Sequence, residues 1–525
     1  MIPPHSISPS LRIYFRGLIA AMLCLAAVMP CGAEGSDGAS NPETVLRLSV
    51  EDAVLMALEG NPELRIQRLE PVMAGTFEAL ERARFDPVLN AEIVGTRERT
   101  ERFPDELREP ISDLRESSTA SLGLRREFPS GTELDLGIDY QITDSDRVDV
   151  AQHRLRGGIT LTQALLQGRG RAANLADLRR ARLDLQASEY EFRAFAESLT
   201  SEVEIAYWNY VLAESELEIF ESSLDLARRQ RDATRERIEL GQTAGVEITA
   251  AEAEVALRRQ DLIDAHAAKE TLRLTLVRLI QPGHTGEGIW NARLEAVDTP
   301  TTPDVDLDQA AVHARAAREW RPEIHEARLR LANRKLEVVQ TRDGLLPRLD
   351  FFIRLGKTGF SDSFGRAVAN LDGDGYDVST GLRFEMPLGR RAEQAQHLRA
   401  GLDQESAALS LENLIRLVEH DALAAHTEAV RARAQIGASA VTRRLQEELL
   451  RTETDKFETG LATALDVALV QRDLLQSRIA EVKAVVDFRK ALVSLYRLEG
   501  TLLARRGIGP PLPSPVEPLV QETQQ

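Results

Sequence analysis

Two hydrophobic periods divide this chain. In ELDLGIDYQI (133–142), Leu134, Leu136, Ile138, Tyr140 and Ile142 take every second place, with polar or small residues between them. YDVSTGLRFEM (376–386) repeats the pattern through Tyr376, Val378, Leu382, Phe384 and Met386; RLDFFIRL (348–355) and RLRGGITLTQ (154–163) follow it less strictly. A period of two predicts strands. Elsewhere the period lengthens. Phe192, Phe195, Leu199 and Val203 keep three-and-four spacing inside 171–240, which holds 70 positions without glycine or proline. That predicts a helix with one apolar stripe, roughly 100 Å long if unbroken. Such a length calls for coiled-coil-like packing. Helical sequence resumes at 246 and runs to Pro282, and in the second half it covers 438–459 and 461–499.

The long helical runs are broken at matching places. IELGQTAGVEI (238–248) and FETGLATALDV (457–467) align at an offset of 219, setting Gly241 against Gly460 and Glu247 against Asp466. LTLVRL (274–279) and VSLYRL (493–498) keep that offset, whereas EGNPELRIQRLE (59–70) with EWRPEIHEARLR (319–330), and FDPVLN (85–90) with LLPRLD (345–350), are 260 apart. The chain therefore reads as a tandem duplication whose first copy carries extra residues. Each glycine closes the turn of an antiparallel helical hairpin, because glycine accepts the left-handed conformation that ends a helix. The expected organisation is a signal peptide at 1–33, a linker at 34–47, a first helix–strand–long-helix repeat at 48–282, a connector at 283–304, a second repeat at 305–505 and a mobile tail at 506–525.

Composition narrows the class. The 525 residues carry a net charge of −18, which speaks against nucleic acid as a partner. Arg12 and Arg16, the apolar core LIAAMLCLAAVM (18–29) and the small residues of CGA (31–33) form a secretory signal, whose core is too short to span a membrane. Its removal takes away Cys24 and Cys31, the two cysteines of the chain, and with them disulfides and cysteine-bound metal. A lipid on Cys31 is the rival reading, which the proline in VMPC disfavours. No later stretch is apolar for the length of a membrane helix. An exported chain of this kind is periplasmic or an outer-membrane β protein, since only helices and closed barrels satisfy the backbone in lipid. Alternation over about ten residues suits a barrel strand, although a soluble sheet with one buried face would show the same pattern.

Chemical motifs are sparse. GRGRAA (168–173) fits G-x-G-x-x-A between a strand and a helix, but that helix is too long for a dinucleotide-binding unit. LDGDG (371–375) lacks the further ligand positions of a calcium loop. His420 and His426 face different sides of a helix, and Tyr207 and Trp208 are expected to pack between helices. No catalytic or cofactor signature emerges, so neither an enzyme nor a cofactor is expected.

In order and spacing, the NPEL and RPEI openings, FDPVL and LLPRL before the strands, TQALLQGRGR after them, AYWNYVLAE (206–214) and the two glycine turns resemble the TolC-like outer-membrane efflux proteins over about 48–505. The resemblance implies an α+β membrane duct. It would be a homotrimer in which about four strands per protomer build a shared 12-stranded β-barrel in outer-membrane lipid, continued by a long periplasmic α-helical coiled-coil barrel. The duct would serve a tripartite efflux or type I secretion system as a passive conduit, docked on a periplasmic adaptor (membrane fusion) protein and an inner-membrane pump. Pooling strands is also what barrel closure requires of so few per chain. The additional β-like sequence at 119–142 departs from the family pattern and reads as a longer hairpin on the extracellular side. Leu240, Gly241, Gln242, Thr459, Gly460 and Leu461 would be the adaptor-contacting tips. Asp466 matches an acidic position that narrows the periplasmic entrance, while Leu469 stands at another often acidic one. Glu247 joins Asp466 through the 219 offset alone. A periplasmic coiled-coil adaptor or a structural protein without a pore remains the alternative, and recovery in the outer membrane distinguishes the duct from both.

Overall fold

The computed structural model describes residues 45–102, 111–146, 148–242, 244–280 and 290–509. The expected signal peptide, residues 281–289 at the repeat boundary and residues 510–525 of the expected tail lie outside them. The described part opens with a short strand, β1 (Val45–Leu48), and three helices, α1 (Val50–Gly60), α2 (Pro62–Gln67) and α3 (Leu69–Ala83). Ser49 and Asp52 cap α1 reciprocally, and the Asn61 side chain receives the first backbone N–H groups of α2. Strands β2 (Val88–Arg102), β3 (Ile111–Glu127), β4 (Thr132–Ser145) and β5 (Val148–Ala164) follow, then a single turn α4 (Arg171–Asn174) and the long α5 (Ala176–Glu239) and α6 (Glu247–Ile280). The second half runs β6 (Arg293–Ala296), α7 (Ala310–Trp320), α8 (Pro322–Gly344), β7 (Arg348–Ser361), α9 (Phe364–Ala369), β8 (Tyr376–Glu385), α10 (Arg391–Glu458), α11 (Ala464–Glu499) and α12 (Leu502–Arg505). The NPEL and RPEI openings are built alike. Asn61 and Arg321 hold extended backbone (ψ 120 and 123) before a proline that begins the next helix, because a residue preceding proline is pushed out of the α region.

Among the described residues, six strands form one antiparallel sheet in the order β2-β3-β4-β5-β7-β8. Four strands per protomer were expected, and the count is corrected to six. The addition is the β3–β4 hairpin, and its turn is not at the end expected for it. Gly131 O accepts from Ala164 N (2.9 Å), and Gly170 N donates to Ser130 O (3.0 Å). Asn174 donates to Pro129 O. The β3–β4 turn therefore sits at the end where the strands meet the helices, opposite an extracellular position. Both added strands run the height of the sheet, as their pairing with β2 and β5 shows.

The sheet has two chemical faces. The registers line up Leu89, Leu124, Leu136, Ile159, Leu355 and Val378 as one row, an apolar residue from every strand. Five of these six are exposed in the single chain. The opposite face carries Glu92, Arg125, Asp135, Asp139, Arg154, Arg156, Arg354, Asp377 and Arg383. The two phenylalanines on that side lie under cations, Phe352 beneath Arg383 and Phe360 beneath Arg154.

The helices pair as two hairpins, α5 with α6 and α10 with α11. At 64 and 68 residues, α5 and α10 are each about 100 Å long. Their main core is local. Val203, Tyr207, Tyr210 and Val211 of α5 pack with Val54, Leu276, Ile280 and Leu503. There β1 and β6 pair in parallel, bringing the end of the expected linker onto the expected connector. Tyr207 donates to Leu48 O at 3.0 Å and to Asp298 at 2.8 Å, and Tyr210 donates to Leu294 O at 2.7 Å. The expected tail is anchored at its first residues, because Arg506 pairs with the buried Glu204 (2.8 Å) and Ile508 packs on this core. Away from it, α10 leaves Leu402, Leu409, Leu423 and Val430 exposed at multiples of seven residues. No described helix is long and apolar enough to cross a membrane.

Candidate functional site: the paired helical tips

The two long hairpins end in the same backbone motif. After α5, Gly241 N donates to Ile238 O (3.0 Å) and Gln242 N to Arg237 O (2.9 Å); after α10, Gly460 N donates to Phe457 O (3.2 Å) and Leu461 N to Lys456 O (2.8 Å). This doubled bonding is a Schellman closure, and its pivot needs a left-handed residue. Gly241 (φ 71) and Gly460 (φ 76) supply it. The motif turns the chain, and a leucine flanks each pivot, Leu240 before Gly241 and Leu461 after Gly460. Leu240 and Leu461 are 64% and 81% exposed, apolar groups with no cover in the single chain.

The tips touch one another across the two halves. Arg237 of α5 donates to Phe457 O at 3.0 Å, and its guanidinium lies 4.4 Å from the centroid of the Phe457 ring. Phe457 is buried with Leu450, Ala462, Ala464 and Val467. Nothing in the local pattern singled out Arg237, because its partner is 220 residues away.

Asp466 and Glu247 occupy the first turns of the returning helices, near the positive end of each dipole. Their local roles differ. Thr463 caps α11, and Asp466 Oδ2 accepts from Thr463 N (2.9 Å) and Oγ1 (2.7 Å), a reciprocal capping box. Those two donors hold the Asp466 carboxyl below the usual aspartate range, so it keeps its charge in mild acid. The first half has Ala244 where Thr463 stands in the second, so that position offers α6 no capping hydroxyl. Glu247 is half-buried, whereas Asp466 is exposed. Both carboxylates therefore lie within two turns of their tips, and Asp466 also caps the start of α11.

The remaining sequence motifs have structural uses. Gly168 and Gly170 shape the link from β5 to α4, with Gly168 N bonded to Asp343 (2.8 Å) and Asn174 to Gly168 O and Gly170 O. LDGDG forms the turn between α9 and β8, where Gly375 O accepts from Thr358 N. His420 is exposed beside Asp421, and His426 faces the Asp308 carbonyl instead. Tyr207 and Trp208 pack edge to face, 5.5 Å apart, with Arg489 over Trp208. Among the described residues no group of three or more His, Cys, Asp or Glu could hold a metal ion.

The family model of outer membrane efflux proteins matches residues 126–280 and 314–501, more than half of the chain. Several solved structures share the fold. A membrane protein from Pseudomonas aeruginosa is 21% identical with a TM-score of 0.65, over 90% of this chain and 99% of that one. The CmeC outer membrane channel of Campylobacter jejuni is 14% identical with a TM-score of 0.62, over 91% and 94%. The MtrE outer membrane channel of Neisseria gonorrhoeae, in its open state, is 18% identical with a TM-score of 0.60, over 86% and 89%. No curated protein sequence matches this chain.

Proposed function

This chain belongs to the outer membrane efflux protein family, and we infer from that membership an outer-membrane channel, a passive conduit for solutes that an inner-membrane pump delivers through a periplasmic adaptor. Its two-faced sheet sits in the outer membrane and its helical part extends into the periplasm. The protein conducts and performs no bond chemistry.

The finer architecture is a homotrimer built on a two-fold internal repeat, with one shared barrel above a tunnel of long helices. The observation that carries it is the sheet itself. Among the described residues neither β2 nor β8 has a strand on its outer side. An open edge in hydrocarbon leaves backbone groups unsatisfied at several kcal/mol each, so a single copy is not a stable membrane species. The heptad-spaced apolar stripe on α10 likewise wants a neighbouring helix. At the far end the exposed Leu240 and Leu461 offer an adaptor's helices an apolar contact, and Asp466 with Glu247 charges the entrance.

Fractionation and native mass test this reading. The protein should leave the cell with the outer membrane and fly as three copies from detergent. A soluble monomer in the periplasm overturns it.

A further inference from the structure

We propose that three copies close a barrel of eighteen strands, through pairing of β8 of each copy with β2 of the next. The proposal rests on the trimeric reading above and adds the width of the outlet. Six strands from each copy in a trimer make eighteen, against twelve for a four-stranded protomer.

The β3–β4 hairpin belongs to the barrel wall because its chemistry is level with that of its neighbours. Leu124 and Leu136 stand in the same apolar row as Ile159 and Leu355, so lipid at that height meets all six strands. One step along, the registers align Gly123, Gly137, Gly158 and Gly356, a glycine from four successive strands on the polar face. Glycine lets a strand bend sharply or another group approach its backbone. Here it does the second visibly. A Cβ on Gly356 would meet the Asp377 carboxylate at 2.4 Å and the Arg156 guanidinium at 2.8 Å, and one on Gly123 would meet the Asn90 side chain at 2.6 Å. Arg156 and Asp377, paired at 2.8 Å, thus lie flat against the wall. A belt without side chains on one face also lets the sheet curl toward that face, which puts the polar side inside and the apolar row outside. The belt spans both added strands, so they curve with the rest.

The edges fit a second copy of this chain. Strand β2 leaves the helical end and β8 returns to it, so joining them continues the antiparallel alternation. With six strands, an even number, every copy presents the same two edges and a ring closes without a mismatched seam. Strands spaced ~4.8 Å apart and tilted ~40° put the backbone of an eighteen-stranded ring at a radius of about 18 Å, against about 12 Å for twelve strands. Barrels of that size leave an aqueous channel, so the outlet is about 1.5-fold wider than a twelve-stranded one. The helical tunnel, and not the barrel, then limits what passes.

The test uses the full protein in lipid nanodiscs, with copy number fixed by native mass spectrometry. End-on projections of the unmodified protein should show a backbone ring about 1.5-fold wider than a twelve-stranded barrel allows. The chain has no cysteine beyond Cys31, so nitroxides can be placed singly by Leu122→Cys and Ile138→Cys on the apolar face, and by Ser121→Cys and Asp139→Cys on the polar face. The first pair should be relaxed by oxygen and shielded from a neutral nickel chelate, and the second pair should show the reverse. A trimer with a twelve-strand ring, or with Leu122 and Ile138 open to the chelate, overturns the eighteen-stranded barrel and leaves the trimer standing. A monomer or dimer in lipid overturns the trimer and this proposal with it.

Discussion

Arg237 holds Phe457 twice, donating to its carbonyl at 3.0 Å and lying over its ring at 4.4 Å. The pair joins the end of one long helix to the end of the other, at the closed turns that face away from the sheet. A cation over an aromatic ring and a charge-assisted hydrogen bond together contribute about 2–4 kcal/mol. Arg237→Ala should therefore let the tips separate, raising single-channel conductance while the far-ultraviolet spectrum stays unchanged. Arg237→Lys, which retains the cation without the planar fork, should fall between. Equal conductance in all three proteins would remove this contact from the entrance.

The tip glycines should tolerate bulk poorly for a reason of backbone alone. An added Cβ at Gly241 or Gly460 meets nothing within 4 Å, so the cost of alanine is the left-handed conformation, about 1–2 kcal/mol. Thermal melts of Gly241→Ala and Gly460→Ala should show that loss at each site.

Docking on an adaptor predicts a different result at the neighbouring side chain. Leu461→Trp changes an exposed group without touching the backbone motif. Export and adaptor crosslinking should drop while assembly on native gels is retained. Survival of both functions with bulky changes at Leu461 and Leu240 would exclude docking there.

The observed cap at Asp466 and the entrance charge proposed for it can be separated. Asp466→Asn removes the charge and weakens the reciprocal cap, while Thr463→Ala weakens the cap and keeps the charge. In planar bilayers the first should lower the preference for cations and the second should leave it near wild type. With its carboxyl held below the usual range by Thr463, the preference should persist at pH 4.5. Loss of selectivity in Thr463→Ala alone would assign the effect to helix capping instead of charge.

Stability should fall as pH rises from about 4.5 to about 7 because of Glu197. This residue is 2% exposed, and burial pushes its carboxyl to about 7, with Arg193 opposing. The folded value lies above the unfolded one, so the protonated acid favours the folded state at low pH. That contribution is lost between about pH 4.5 and 7, on the order of 2–3 kcal/mol. Glu197→Gln should thus raise the melting temperature at pH 8 and change it little at pH 4.5. A similar shift at both would reject the assignment.

The sequence by itself determined whatever repeats over a few residues. Period-two stretches marked β4, β5, β7 and β8, and glycine-free runs marked α5, α6, α11 and the last third of α10, which itself begins at Arg391 and runs on through Gly401 and Gly437. The two tip glycines marked the turns, because a left-handed helix end is a local demand. The capping box was legible too, as Thr463-x-x-Asp466, though the expectation for Asp466 was drawn from an entrance acid. What tertiary structure decided is pairing between distant backbones. Beyond Ile93, β2 runs through Arg97, Glu98, Arg99 and Glu101, and β3 begins among Ser112, Arg115, Glu116, Ser117 and Ser118. Their polar ends carry no alternation, since no lipid or core selects one face there. Hydrogen bonds to neighbouring strands make them strands, and so set the count at six. β1 and β6, four residues each and 248 positions apart in register, are likewise too short to show a period. Arg237 and Phe457 meet only because two helices of nearly equal length end side by side, a distance set by folding and not by spacing in the chain.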